Sequence, residues 1–196
     1  MIDLEKIKQA FPFIQELSPA DIMEFLGHTR LMELEAGDIF LEQGSRKSCV
    51  YFVKTGLVRS YFTNEKGEEI TNRLRCENEV LSSYEIDLFH EPSRFTFQAL
   101  EPTELILVDS AVMLKLLDDN PKLEAGRRFF IKKTLSECLS AIDDFILLSP
   151  EKRYLKFTTK YPQLINRVPM KYIANMLGIT PVSLSRIRKR IATKKH

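Results

Sequence analysis

The side chains in this chain best suited to chemistry are cations, and they are gathered at one end. Residues 150–196 carry 12 Lys and Arg against a single acid, Glu151, whereas residues 1–149 carry 17 basic and 26 acidic side chains. The modest total of +2 over 196 residues is therefore the sum of +11 and −9. Such a split points to two parts, one of which seeks a polyanion. Within the basic part the most informative string is Met170 to Ile191, MKYIANMLGITPVSLSRIRKRI. Arg186 has the chemistry to read a base, because a guanidinium can donate two hydrogen bonds to guanine in the major groove. Val182 suits a thymine methyl. Lys171, Thr180, Ser183, Ser185, Arg188, Lys189 and Arg190 suit phosphate, which positions a protein on DNA without reading sequence. Lys152, Arg153, Lys156, Lys160 and Arg167 extend the basic stretch.

These side chains need a scaffold, and the same string supplies one. Ile173, Leu177, Ile179, Leu184 and Ile187 are apolar where two short helices crossing steeply would bury them. Ala174 is small at the crossing, and Gly178 suits a left-handed turn. Thr180 is a cap and Pro181 fits the first turn of the second helix, whose free amides favour phosphate. A helical hairpin with a merely solvated face would need acidic partners, which are nearly lacking here, so the charge favours double-stranded DNA as the partner.

Other chemistries find little support. Cys49, Cys76 and Cys138 are far apart and lack metal-cluster or disulfide-framework spacing, and each is expected to be a buried small hydrophobe. His28, His90 and His196 form no triad or ligand set. No metal, cofactor or enzymatic reaction is evident, and a cupin-like metalloenzyme lacks its histidines. The composition, 44% hydrophobic and 29% charged, is that of a protein with a real core. No run approaches a membrane span, and Met1 to Lys6 lacks the pattern of a secretory leader, so a cytoplasmic location with no membrane partner is expected.

Ahead of the basic part, Ser18-Pro19-Ala20-Asp21 reads as a helix start. From Leu31 to Asp109 short apolar runs follow one another: Ile39 to Leu41, Val50 to Val53, Leu57 to Phe62, Ile70 to Leu74, Phe95 to Ala99 and Leu105 to Val108. Glycines punctuate them, and Asn64-Glu65-Lys66-Gly67 is a hairpin turn, so the spacing predicts a sandwich or jelly roll. After Asp109, a cap, the period turns helical. Lys122 to Leu148 carries Ile131, Leu135, Ile142 and Phe145 or Ile146 near a seven-residue recurrence. Such a helix either packs wholly on its own roll or pairs with a twin. Ser149-Pro150-Glu151 restarts a helix. The class is α+β: an N-terminal double-stranded β-helix over residues 1–120, a long helix over 121–148 and a helix-turn-helix unit over 149–196.

Roll, long helix and helix-turn-helix in this order resemble the cyclic-AMP receptor protein and FNR (CRP/FNR) superfamily of bacterial transcription regulators. The resemblance rests on Ala36-Gly37-Asp38-Ile39-Phe40, Gln43-Gly44, Tyr51 to Arg59, Gly67, Ala99 to Leu105 and IANMLGITPVSLSRI. It implies a winged-helix-like C-terminal domain and a homodimer formed through the long helix. It also implies a two-fold operator with half-sites about 34 Å apart, RNA polymerase as a further partner, and a sensor pocket in the roll. A cyclic-nucleotide-responsive module acting on a protein partner is the alternative.

At that pocket the sequence leaves the family pattern. Cyclic-AMP binders have a Gly-Glu pair for the ribose and, nine residues after the Glu, an Arg for the cyclic phosphate. Those positions hold Ser83-Tyr84 and Ser93. Glu85 and Arg94 keep the spacing shifted by one, which turns Arg94 to the opposite face of an extended strand unless a bulge restores it. The pocket candidates are Ser82, Ser83, Tyr84, Glu85, Ser93 and Arg94, with Phe95 and Phe97 positioned to fill the space. Three states remain open: no ligand, an unknown small molecule, or cyclic AMP, against which the register and the acidic roll both argue. Any β-wing must precede the helix-turn-helix string or be absent.

Overall fold

The structure, a computed structural model, describes residues 15, 17–47 and 49–193. The start of the roll domain at residue 1, the leader reading at Met1 to Lys6, and the cations Lys194 and Lys195 lie outside them. Helix α1 (Pro19–Gly27) begins as its sequence demands. The Ser18 hydroxyl accepts from the Asp21 amide at 3.2 Å, the Asp21 carboxylate accepts from the Ser18 amide at 2.8 Å, and Pro19 fills the first turn.

Eight strands follow: β1 (Arg30–Leu34), β2 (Ile39–Leu41), β3 (Cys49–Thr55), β4 (Leu57–Thr63), β5 (Glu69–Cys76), β6 (Val80–Leu81), β7 (Thr96–Ala99) and β8 (Thr103–Asp109). A short helix, α2 (Tyr84–Phe89), interrupts them between β6 and β7. They form two four-stranded antiparallel sheets, ordered β1-β8-β3-β6 and β2-β7-β4-β5. Inward residues of the two sheets, among them Tyr51, Val53, Leu105 and Leu107 facing Leu41, Val58 and Phe97, make one apolar core. The β4–β5 hairpin turns where Asn64-Glu65-Lys66-Gly67 predicts, with Gly67 at φ +76° and the Asn64 side chain accepting from the Lys66 and Glu68 amides. β1, β6 and α2 are too short or too polar to stand out by periodicity.

The helical half starts at Asp109, whose carboxylate accepts from the Ala111 and Val112 amides. Helix α3 (Ser110–Asp119) stops before Pro121, and α4 (Pro121–Leu147) then runs 27 residues, about 40 Å at 1.5 Å per residue. Ser149 caps α5 (Pro150–Lys160), which is followed by a 3-10 turn (Pro162–Leu164), α6 (Met170–Met176) and α7 (Pro181–Thr193). No strand lies between Ser149 and Thr193, so the described residues of the C-terminal part contain no β-wing.

The C-terminal helices dock on the outer face of β4–β5. Leu57, Leu74 and Cys76 of the roll share one core with Tyr154, Phe157, Ile173, Ala174, Leu177, Leu184 and Ile187. This is why Leu57 to Tyr61 are buried on both faces of β4, and why the strand shows no inward-outward alternation. Arg59 sits in this interface, only 2% exposed, with its guanidinium between the rings of Tyr61 (4.0 Å) and Tyr172 (4.1 Å). It also donates to Gln98 at 2.8 Å and to Glu69 at 2.5 Å. Its Nη1 has no hydrogen-bond partner among the described residues, so the electron-rich ring faces are its compensation.

A second cation closes the edge of this interface. Arg167 donates to both oxygens of Glu77 (3.0 and 2.7 Å), to both oxygens of Glu101 (2.5 and 3.3 Å) and to the Gly56 carbonyl (3.2 Å). Burial works against the charge of Glu77. The bonds from Arg167 and from the Glu77 and Gly56 amides outweigh it and hold the Glu77 carboxyl below its usual range. Gly56 stands at φ +99°, and a Cβ there would press on the Thr103 side chain and lie 2.7 Å from the Pro102 carbonyl.

Two expectations follow. Gly56→Ala should lower the stability by at least about 2 kcal/mol, read as a lower urea midpoint at unchanged slope, because it combines left-handed strain with a backbone clash. A depressed carboxylate stabilises the fold above its unfolded value, about 4.3 for Glu, and that contribution disappears as pH falls through the lower folded value. The stability gap between wild type and Glu77→Gln should therefore stay constant down to about pH 5 and close below about pH 4. A gap that does not vary with pH would contradict the ion-pair account.

Candidate functional site

The α6–α7 pair is built as its residues require. Gly178 stands at φ +65° in the turn, where a Cβ would lie 2.6 Å from Cε1 of Phe145 on α4. Thr180 accepts from the Ser183 amide at 3.1 Å and donates to the Ser183 hydroxyl at 3.0 Å, so its oxygen is a cap. Pro181 occupies the first helical position of α7 and is exposed. Leu184 and Ile187 are buried beneath, which leaves Val182, Ser185, Arg186, Arg188, Lys189 and Arg190 outward and Ser183 half-buried. Val182 is 60% exposed, large for an aliphatic side chain with nothing to cover it. Lys171, at the start of α6, is exposed with its ammonium 4.7 Å from the Tyr172 ring centre.

The cations of this end divide into two sets. Arg186, Arg188 and Lys189 make no ion pair with any described residue. Others are engaged by groups of the same chain. Arg153 donates to the Leu148 and Leu177 carbonyls and lies over the Phe145 ring. Lys156 holds Asp144 at 2.6 Å and Ser140 at 3.1 Å. Arg167 is the clamp on the roll, and Arg190 pairs with Glu151. Arg190 is thus an exposed cation with a partner, unlike its neighbours on α7.

In the roll, Ser82, Ser83, Tyr84 and Glu85 come together where β6 runs into α2. Ser83 is buried and donates to Glu85 at 3.1 Å, and the Tyr84 hydroxyl lies 3.5 Å from that of Thr134 on α4. Ser93 is buried but bonded locally, to the Phe95 carbonyl at 2.8 Å and through its backbone to Gly44 and Ser45. Arg94 is exposed, with its guanidinium 6.0 Å from the Phe95 ring. Phe97 is buried against Phe40, which meets Tyr51 edge-on at 4.9 Å, and Phe95 packs on the same core.

The cations that do face the long helix from the roll are Arg73 and Arg75, which sequence reasoning passed over. In the β4–β5 register they pair with Ser60 and Val58, on the inner face. Both reach Glu137 of α4, at 3.2 and 2.6 Å, and Arg75 also pairs with Glu79 at 3.4 Å. Two arginines alternating around an apolar residue on a strand, as in Arg73-Leu74-Arg75, are the signal that could have marked them. The cysteines also differ from expectation: Cys76 is buried, whereas Cys49 and Cys138 are only partly so, and Cys138 accepts from Arg73 at 3.0 Å.

Helix α4 turns three sides to three surroundings. Lys133, Thr134, Glu137 and Cys138 are half-buried toward the roll, and Phe145 packs on Gly178. Ile131, Leu135, Leu139, Ile142 and Ile146 form a stripe at spacings of three and four that no described residue covers, Leu135 being 57% and Ile146 73% exposed. An open groove of about 420 Å³ runs beside it, lined by Leu135, Leu139, Asp143 and Lys156 among others. Of Phe145 and Ile146, the first meets Gly178 and the second is the more exposed. No helix among the described residues is long and apolar enough to cross a membrane, and no group of their His, Cys, Asp and Glu side chains could hold a metal ion.

Residues 31–120 match the cyclic nucleotide-binding domain family. Comparison with curated proteins finds no match. Solved structures do match. A candidate transcriptional regulator of the Crp/Fnr family from Eubacterium rectale superposes with a TM-score of 0.71 at 17% identity, covering 95% of this chain and 88% of that one. A CooA variant from Carboxydothermus hydrogenoformans gives 0.70 at 17% identity, covering 87% and 79%. The catabolite activator protein of Thermus thermophilus gives 0.57 at 20% identity, covering 94% and 88%. At these identities the likeness is one of fold. In its fold the chain is similar to CRP/FNR-family structures, and its residues 31–120 match the cyclic nucleotide-binding domain family.

Proposed function

We propose that the protein is a sequence-specific DNA-binding transcription regulator that acts as a homodimer on a two-fold operator, without cyclic AMP. The observation that carries this reading is the outer face of α7, where Arg186, Arg188 and Lys189 stand exposed and unpaired beside Val182, Ser183 and Ser185. A solvated helix face would be laced with carboxylates. This one is bare on a chain rich in acid elsewhere. Arg186 reads a base; Lys171, Ser183, Ser185, Arg188 and Lys189 hold phosphates; Thr180 and Pro181 set the start of the helix that presents them. Arg190 contributes to the field while tethered to Glu151.

The uncovered stripe of α4 supports dimerisation. Five apolar side chains at heptad-like spacing are costly to leave in water, and a second copy of the same helix is the partner such spacing fits. A two-fold dimer presents two α7 helices, matched by half-sites about 34 Å apart. RNA polymerase is the partner through which such a regulator acts, in the cytoplasm. Independence from cyclic AMP rests on the exposure of Arg94 and on the aromatic packing of Phe97 with Phe40 and Tyr51. No observation favours a module acting on a protein partner instead.

Operator fragments selected from random sequence should bind with a steep salt dependence. Arg186→Ala should remove about 1–3 kcal/mol of discrimination at one base pair, while Lys189→Ala should weaken binding to all sequences alike and reduce the salt slope by about one. Binding that is absent, or insensitive to salt, would reject the reading. For the dimer, Leu135→Asp or Ile142→Asp should weaken self-association in sedimentation by at least about 100-fold, since an unpaired charge in an apolar seam costs about 3 kcal/mol. A variant that sediments like wild type at every concentration would show that the stripe is not the seam.

A further inference from the structure

The inner face of β5 offers an anion two guanidinium groups, and the chain itself fills the position. Arg73 and Arg75 converge on a single oxygen, Oε2 of Glu137, at 3.2 and 2.6 Å. All three side chains are half-buried, Arg75 most deeply at 11% exposed, and further groups of the chain contact them. Glu79 takes the other side of Arg75 at 3.4 Å, Cys138 accepts from Arg73 at 3.0 Å, and the Tyr84 ring lies 5.8 Å from the Arg73 guanidinium. Burial opposes the charge on Glu137, yet Arg75 first and then Arg73 outweigh it and keep the carboxyl below its usual range. The remaining candidate cation of the roll, Arg94, is outside.

We infer that Glu137 is a tethered ligand: its carboxylate holds the place on Arg73 and Arg75 that a small anionic effector would take, and thereby fastens the long helix to the roll with no effector bound. Two guanidinium groups facing one carboxylate oxygen are a site for a monocarboxylate or similar small anion. An incoming phosphate would have to displace Glu137 and leave that carboxylate half-buried and unpaired. The inference deepens the regulator reading above, on which it rests for its consequence that operator binding is constitutive.

The test uses the full-length protein and reads thermal unfolding, which is independent of DNA. Wild type should be unmoved by millimolar cyclic AMP, cyclic GMP or inorganic phosphate beyond the effect of sodium chloride at equal ionic strength. Glu137→Ala should melt lower, and sodium acetate, but not matched sodium chloride, should restore about half of the loss or more. Adding Arg73→Ala and Arg75→Ala to it should abolish the acetate response. Should that triple variant not fold, Glu137→Gln serves: it fills the space without the charge, and it should melt lower than wild type with no acetate response. Saturable stabilisation of wild type by a cyclic nucleotide or by phosphate would overturn the inference, as would a Glu137→Ala protein indifferent to acetate. Operator binding by Glu137→Gln should be at least tenfold weaker than by wild type. Failure of wild type to bind DNA would reject the regulator reading alone, since the melting results still decide the site.

Discussion

A guanidinium removed from water has to be compensated on every side, and Arg59 obtains its compensation from both halves of the chain. Glu69, Gln98 and Tyr61 come from the roll, but the ring over its other face belongs to Tyr172 on α6. Without that ring one side of a desolvated cation would lie open, with an Nη1 that has no acceptor among the described residues. The apolar residues around it follow the same logic: Leu57, Leu74 and Cys76 point out of the roll and become core together with residues of α5, α6 and α7. Helix α7 is thus held in a core that begins on the outer face of β4–β5.

Charge takes part in this docking as well as in the proposed DNA contact. The acidic excess of the roll is partly consumed by the basic end of the same chain, since Glu77 and Glu101 hold Arg167. On the helices, Asp144 holds Lys156 and Glu151 holds Arg190. Attraction between the two halves thus pulls the basic unit down by its inner side. Arg186, Arg188 and Lys189 on the outward side of α7, and Lys171 on α6, form no ion pair with a described residue. A uniformly basic C-terminal unit would repel itself and bind polyanions by any face. Here carboxylates hold Arg167, Lys156 and Arg190 and leave Arg186, Arg188 and Lys189 free on α7, which gives the remaining charge a direction.

The sequence made local features legible and left cross-chain ones hidden. Capping at Ser18, Asp109, Ser149 and Thr180, the turns at Gly67 and Gly178, most strands and the long helix all depend on residues near one another in the chain. Their chemistry can be read in a short window. The exposed face of α7 was legible for the same reason, because helical spacing sorts its residues into inward and outward sets. Arg59, Arg73 and Arg75 were not legible, for their partners lie far away in sequence: Tyr172 for the first and Glu137 for the other two. Arg190 and Arg153 have the same composition signal as Arg186, and nothing local to them tells a spent cation from a free one. The short helix α2 escaped because six residues carry too little periodicity, although Ser83 and Tyr84 at its start were singled out for other reasons.

Helix α4 brings these constraints together. Its half-buried side is fixed to the roll through Glu137 and Thr134, its C-terminal Phe145 lies under Gly178 in the α6–α7 turn, and its apolar stripe faces outward. One rigid rod therefore contacts the roll interior, the turn that sets α7, and the surface proposed to meet a second copy. Rotation of the rod about its axis moves all three contacts at once. At Gly178 the contact is close, for an added methyl group would lie 2.6 Å from Cε1 of Phe145. The two ends of α4 are thus held at different places, one on the roll by the Arg73–Glu137–Arg75 contact and the other against the α6–α7 turn by Phe145.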